Sequence, residues 1–311
     1  MEKIDIIVPC YNEENCIFPL FESVERVFQK LPDYCFRILY INDGSSDQTL
    51  QMLRKIKNEY PNQTDYISFS RNFGKEGAIY AGLSNATGDY IVLMDADLQH
   101  PPALIPEMIQ GIEEGYDCVG ARRIDRNGEP PIRSAFSKLF YKVINKMTGM
   151  HLVQGGSDYR MMTRQMVNAM LQLHERERFT KGIMSWVGFE TKWIEYQNVE
   201  RIAGESKWSF MGLARYAVNG FVAFATTPLK AVIWLGSLIM FSALIYALIT
   251  FITALQSNAE RTGFATIIIL ILFMGGVIIA LIGVVGEYIA RLYHEMKMRP
   301  IFIEKESSLQ K

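Results

Sequence analysis

This sequence lacks the usual glycine-rich phosphate cradles. No G-x-G-x-x-G follows its first apolar run and no G-x-x-x-x-G-K-[ST] occurs, which counts against a dinucleotide oxidoreductase and a P-loop enzyme. Cysteine is scarce: Cys10, Cys16, Cys35 and Cys118 show no C-x-x-C spacing, and His100, His151, His174 and His294 do not cluster with them. That pattern argues against a zinc site or a disulfide framework and suits a reducing cytosol; these cysteines, His100 and His151 read as structural. An excess of one charge is also missing. With a formal net charge of -1, nothing global argues for nucleic acid as a partner. The opening MEKIDIIVPCYNEE is a short apolar run between acidic residues, which does not fit a cleavable signal peptide. At 311 residues the chain has room for two average domains, or one larger domain with an appendage.

Charge is wholly absent from two stretches, Ala231 to Leu255 and Phe264 to Gly286. Each exceeds the roughly 20 residues that cross a bilayer core. Lys207, Arg215 and Lys230 precede the first and Arg291, Lys297 and Arg299 follow the second, a bias that places both termini in the cytoplasm. The expected organisation is a cytosolic domain over 1–206, a juxtamembrane amphipathic segment over 207–228, a membrane hairpin over 229–290 with spans near 231–255 and 264–287, and a cytosolic tail over 291–311.

Within the first domain, Ile4 to Val8, Phe36 to Ile41, Tyr66 to Phe69 and Tyr90 to Met94 read as strands. They alternate with helical patterns at roughly Glu14 to Leu31, Gln48 to Glu59 and Glu76 to Asn85, as in a mostly parallel α/β sheet. Such sheets bind ligands beyond the carboxyl ends of their strands. The polar runs there are Pro9 to Glu14, Asn42 to Asp47, Ser70 to Lys75 and Asp95 to Asp97. Each alone could be turn or cap chemistry, as Asp43-Gly44 and Ser46-Asp47 illustrate. Four such runs at one edge favour a binding crevice. Asp95 and Asp97 are hard oxygen donors suited to Mg²⁺ or Mn²⁺ with a substrate diphosphate. Tyr11 could stack on a base and Asp43 could accept its hydrogen bonds.

In order, VPCYNEE, NDGSSDQT, SRNFGKEGA and DADLQHPP resemble the family 2 glycosyltransferases of the GT-A fold. GAR at Gly120 to Arg122, GGSDYR at Gly155 to Arg160, ERFTKGIMSWVGF at Glu177 to Phe189 and RIAGESKWS at Arg201 to Ser209 resemble the branch that loads sugars onto polyprenyl phosphate. That branch includes dolichyl-phosphate mannose synthase and the bactoprenol glucosyltransferases, the latter with two C-terminal membrane helices. One departure is Asn42, where many relatives carry Asp.

The resemblance implies a Rossmann-like GT-A domain, interfacial helices and a transmembrane hairpin. It also implies inverting transfer from a nucleotide sugar to a lipid phosphate at the cytosolic face of the inner membrane. UDP-glucose is the first expectation for the donor, followed by UDP-GlcNAc, UDP-galactose and GDP-mannose. Pro9, Tyr11, Glu13, Asp43 and Asp95 are then nucleotide contacts, and Asp95, Asp97 and Gln99 organise the metal. Arg122, Arg133, Ser137, Arg201 and Lys207 contact the acceptor phosphate or the diphosphate. Asp158 is a catalytic-site aspartate, as base or positioning group, with Asp97 and Arg201 beside it in that role. The implied partners are nucleotide sugar, polyprenyl phosphate, membrane lipids, a flippase, a downstream glycosyltransferase and further copies of the chain.

From Phe136 to Met147 an apolar stripe faces a basic one (Lys138, Lys142, Lys146), which by spacing alone suits the membrane interface and a protein core about equally; a similar mixture from Trp208 to Phe224, beside the first span, favours the interface. Two competing readings are a processive polysaccharide synthase and a non-catalytic nucleotide-sugar sensor. The first is disfavoured by the lack of Q-x-x-R-W and by the presence of only two spans, the second by the intact acidic and basic site residues.

Overall fold

The computed structural model describes residues 1–124, 145, 153, 155–176, 178–197, 227–256 and 263–309. The chain forms two compact units: Met1–Ala217 with Arg299–Lys311, and Val218–Met298. The first is built on β1 (Glu2–Cys10), β2 (Tyr34–Asn42), β3 (Thr64–Phe69), β4 (Tyr90–Leu93), β5 (Cys118–Arg123), β6 (Gly156–Thr163), β7 (Thr191–Tyr196) and β8 (Glu304–Ser307). These join in one sheet in the order β7-β5-β6-β4-β1-β2-β3-β8. β6 and β8 are antiparallel to their neighbours, and every other pair is parallel.

The central strands are apolar on both faces because both faces are covered. Ile4, Ile6 and Val8 of β1 share a core with Ile17, Leu20, Phe21, Val24 and Phe28 of α1 (Ile17–Phe28), whose spacing is one helical stripe. α2 (Thr49–Glu59) and α4 (Ile105–Glu113) join that core through Leu53, Ile56, Ile105, Met108, Ile109 and Ile112. Ile7 points the other way, onto α3 (Lys75–Asn85). There the helix lies so close that a Cβ on Gly82 would sit 2.2 Å from Ile7 Cγ2. Small residues along α3 thus set its distance from the sheet.

The path β1-α1-β2-α2-β3 runs outward in one direction, and α3 then carries the chain back across to place β4 on the other side of β1. The switch point lies between β1 and β4, where the connections diverge, and it is at the carboxyl ends there that sheets of this kind bind ligands.

At the far edge, β8 pairs antiparallel with β3, aligning Ile67 with Ser307 and Ser68 with Glu306. The residues expected as a plain tail therefore complete the sheet. Phe302 stacks on Phe69 at 4.9 Å, the Ser70 amide donates to the Ile303 carbonyl at 3.0 Å, and Arg54 clasps Glu306.

After β6 come α5 (Arg164–Leu171) and α6 (Thr180–Trp186), and the second unit contains α7 (Thr227–Gln256) and α8 (Phe264–Met296), of 30 and 33 residues. At 1.5 Å per residue they are about 45 and 50 Å long, against a bilayer core of about 30 Å. Among the described residues, Phe273–Met296 is long and apolar enough to cross a membrane, with Val232–Ala243 a shorter apolar stretch in α7. Large apolar side chains are exposed on both helices, including Trp234 at 76% and Ile279 at 72%. A water-soluble fold would bury such a surface, so this unit associates with membrane. Arg133, Ser137, Arg201, Lys207, the Phe136–Met147 stripe, most of the 207–228 segment and His151 lie outside the described residues.

Candidate active site

The loops after β1 and β2 are laced together at the crevice. Asn12, in the left-handed region at φ 54°, accepts from the Ser46 amide at 2.8 Å, while its own amide donates to Ser45 Oγ at 2.9 Å. The Glu13 amide donates to Thr49 Oγ1 at 2.9 Å. Asp47 Oδ1 accepts from the Thr49 amide at 3.0 Å, a capping contact at the start of α2. Pro9, next to last in β1, is half-buried; Tyr11 follows the strand with 39% exposure, and Glu13 is half-buried beyond it.

Asp43 has a task that its sequence position did not reveal. It is buried, and its two oxygens accept the Phe73 and Gly74 amides at 2.6 and 3.0 Å, tying the turn after β3 to the tip of β2. Burial nevertheless lifts its pKa above the ordinary carboxylate value. Asn42 continues the tie: its Nδ2 donates to Ser68 Oγ at 2.9 Å and its Oδ1 accepts from the Ser45 amide at 3.1 Å. An amide both donates and accepts here, which a carboxylate could not do.

After β4 the residues alternate: Asp95, Asp97 and Gln99 are half-exposed, while Ala96, Leu98 and His100 are buried. Leu98 takes a left-handed φ of 60°, and the Gln99 amide donates to Asp97 Oδ1 at 3.1 Å. His100, expected to be merely structural, packs directly against the site. Its Nδ1 accepts from the Asp95 amide at 2.9 Å, its Nε2 lies 4.0 Å from Asp95 Oδ2, and its ring stacks on Tyr159 at 5.1 Å. Burial pushes the imidazole below its usual pKa, so the ring is neutral and holds the Asp95 backbone as an acceptor.

Asp158 lies on β6, antiparallel to β4, rather than in the turn its glycine neighbours allowed. The neighbouring glycine serves packing: a Cβ on Gly156 would meet the Trp193 ring at 2.7 Å and one on Gly120 would meet it at 2.8 Å. Lys75, at the start of α3, bridges Asp95 Oδ1 at 2.7 Å and Asp158 Oδ2 at 2.8 Å. Lys181, on α6 (Thr180–Trp186), lies 3.5 Å from Asp158 Oδ1 and donates to the Gly156 carbonyl at 3.0 Å. Burial opposes ionisation of Asp158, but Lys181 and Lys75 outweigh it and hold the carboxyl well below the usual range. Asp95 is likewise lowered, burial being overcome by the Lys75 ammonium.

The described residues thus bring together Asp95, Asp158, Lys75, Lys181 and His100, with Asp97 and Gln99 on the same loop as Asp95. Sequence reasoning passed over both lysines. Lys75 stood within SRNFGKEGA and Lys181 within ERFTKGIMSWVGF, so the signal was present without a partner to read it against. Arg122 is exposed at the end of β5, paired in register with Gly156. Among the described residues no three acidic, His or Cys side chains form a metal cluster. Two hard carboxylates on one loop nevertheless suit an ion that takes most of its ligands from water and phosphate.

The profile of glycosyl transferase family 2 matches residues 5–171, and that of the GtrB C-terminal hairpin matches 227–292. The chain belongs to glycosyl transferase family 2 and is a glycosyltransferase. CsbB of Bacillus subtilis (strain 168), named as a glycosyltransferase, is 44% identical, covering 98% of this chain and 92% of its own. The SfII prophage-derived bactoprenol glucosyl transferase of Shigella flexneri is 39% identical over 98% of both chains. The prophage bactoprenol glucosyl transferase homolog of Escherichia coli (strain K12) is 40% identical, covering 97% and 98%.

Proposed function

We propose that the chain transfers a hexose, glucose in the first instance, from a UDP-sugar to polyprenyl phosphate with inversion. What supports this most is that relatives named bactoprenol glucosyl transferase match over nearly the whole chain, hairpin included, and not over the catalytic unit alone. The charge cluster at the strand tips suits the chemistry. Pro9, Tyr11, Glu13 and Asp43 contact or shape the nucleotide site. Arg122 and, by sequence pattern, Arg133, Ser137, Arg201 and Lys207 hold the phosphates.

Asp95, Asp97 and Gln99 would hold Mg²⁺ or Mn²⁺, which when bound offsets the charge of the departing diphosphate. The acceptor needs little activation, because a phosphate monoester has a second pKa of about 6 and is largely dianionic at neutral pH. Its oxygen forms the new bond to the anomeric carbon as the bond to the diphosphate breaks. Asp158, with both oxygens facing ammonium groups, is a weak base. Its role is then to orient Lys75 and Lys181 and to keep the site charge fixed.

The tail's place in the catalytic unit's sheet supports a hairpin that opens on one side, with both termini cytosolic. Membranes containing the protein are incubated with radiolabelled UDP- and GDP-sugars and undecaprenyl phosphate, with EDTA or with added Mg²⁺ or Mn²⁺. Label is expected in the lipid fraction from one donor, in a metal-dependent manner, and Asp97→Asn should abolish it. Folded protein that labels no lipid from any donor would refute the proposal.

A further inference from the structure

Lys75 and Glu76 are consecutive at the start of α3, and each reaches a different part of the site. Lys75 bridges the two aspartates. Glu76 turns toward α6, where its Oε2 accepts the Thr180 amide at 2.9 Å and also the Thr180 hydroxyl. Thr180 is buried and opens α6; the next residue is Lys181, whose ammonium lies against Asp158 and the Gly156 carbonyl. The amides at a helix start have no partner within the helix, and negative charge is favoured there. The Glu76 carboxylate therefore ties the first residue of α6 to the start of α3.

We propose that Glu76 is a positioning residue for transfer, setting Lys181 against Asp158 through Thr180. A carboxylate that only stabilised the fold would have no need to end one residue from a site lysine. Since Glu76 also follows Lys75, the two lysines that face Asp158 are held by one short segment of α3. The inference rests on the reading of Asp158 as a site residue, and the test separates the two.

Transfer kinetics and thermal stability are measured for Glu76→Ala, Glu76→Gln, Lys181→Ala, Asp158→Asn and the Glu76→Ala/Lys181→Ala pair. Glu76→Ala and Lys181→Ala should each lower kcat by about tenfold with the donor KM changed less than about twofold. The pair should lose no more than about the worse single variant, because both act through one contact. Glu76→Gln retains an acceptor oxygen and should recover most of the rate. Folded Glu76→Ala with wild-type kcat, or losses that multiply in the pair, would overturn the proposal. Should Glu76→Ala fail to fold, Thr180→Ala replaces it and must show the same non-additivity with Lys181→Ala. Wild-type transfer by both Asp158→Asn and Lys181→Ala would overturn the site reading itself, and this inference with it.

Discussion

At the scale of residues, the same side chain types do opposite work at the two ends of the strands. Asp5 is fully buried in β1, and its carboxylate takes Arg37 Nε at 3.0 Å and Nη2 at 2.6 Å together with the Gly88 amide at 2.8 Å. Burial raises its pKa, yet Arg37 and the amides overcome this and leave it lowered. A depressed carboxylate contributes stability above its unfolded pKa of about 3.9, and that contribution is lost as pH falls through the lower folded value. Asp5→Ala should cost about 3 kcal/mol, read from denaturant unfolding, by leaving the Gly88 amide without its acceptor and Arg37 with Asp65, at 3.3 Å, as its remaining carboxylate. At the other end, Asp158→Asn should still fold, with a lowered melting temperature, and should lower kcat by about a hundredfold or more, since it breaks the charge contacts of Lys75 and Lys181. An unchanged kcat would mean that the lysines act independently of it.

At the scale of elements, β8 shows how little intrinsic preference a strand needs once an edge awaits it. Glu-Lys-Glu-Ser has no apolar alternation, and it pairs because β3 would otherwise expose unpaired amides and carbonyls. Glu306 secures it: hydrogen bonds from Arg54 and Tyr66, against some desolvation, draw its pKa from 4.5 to about 2. Its contribution is present above about pH 4.5 and fades as pH falls toward 2. Protection from hydrogen exchange across Ile67 to Phe69, corrected for the intrinsic pH dependence of amide exchange, should fall over that window in the wild type, and Glu306→Gln should flatten the dependence. Phe302 stacks on Phe69, which meets Phe73 edge-on at 5.8 Å, so the tail buttresses the turn that Asp43 ties.

At the scale of the whole molecule, the catalytic unit is discontinuous, because Arg299–Lys311 returns to it after the hairpin. Cutting the chain after residue 217 removes the membrane unit and also bares the β3 edge. A variant with residues 218–298 replaced by a flexible linker keeps β8. It should melt several degrees higher and aggregate less than the truncation, as read by thermal melting and light scattering. Equal behaviour of the two would show that β8 contributes nothing to the unit's stability.

Much was legible in the sequence because it was local. The apolar runs of β1 to β4 and the helical stripes between them carry their own periodicity, and the described elements lie within a few residues of those expectations, whereas α8 runs on to Met296, past the end of the charge-free stretch. Asp95, Asp97 and Asp158 stood out because their neighbours formed known patterns. The antiparallel insertion of β6, the strand made by the tail, the tie of Asp43 to the Phe73 and Gly74 amides, the placement of His100 and the grip of Lys75 and Lys181 on Asp158 had no such signature. Each depends on residues far apart in the chain, such as 83 positions between Lys75 and Asp158. The sequence by itself determined the parallel α/β core, the hairpin and the acidic loop, since these follow from local periodicity and composition. Only the tertiary structure decided which charges meet, because ion pairs and edge pairings are fixed by the distances the fold brings to a few ångströms.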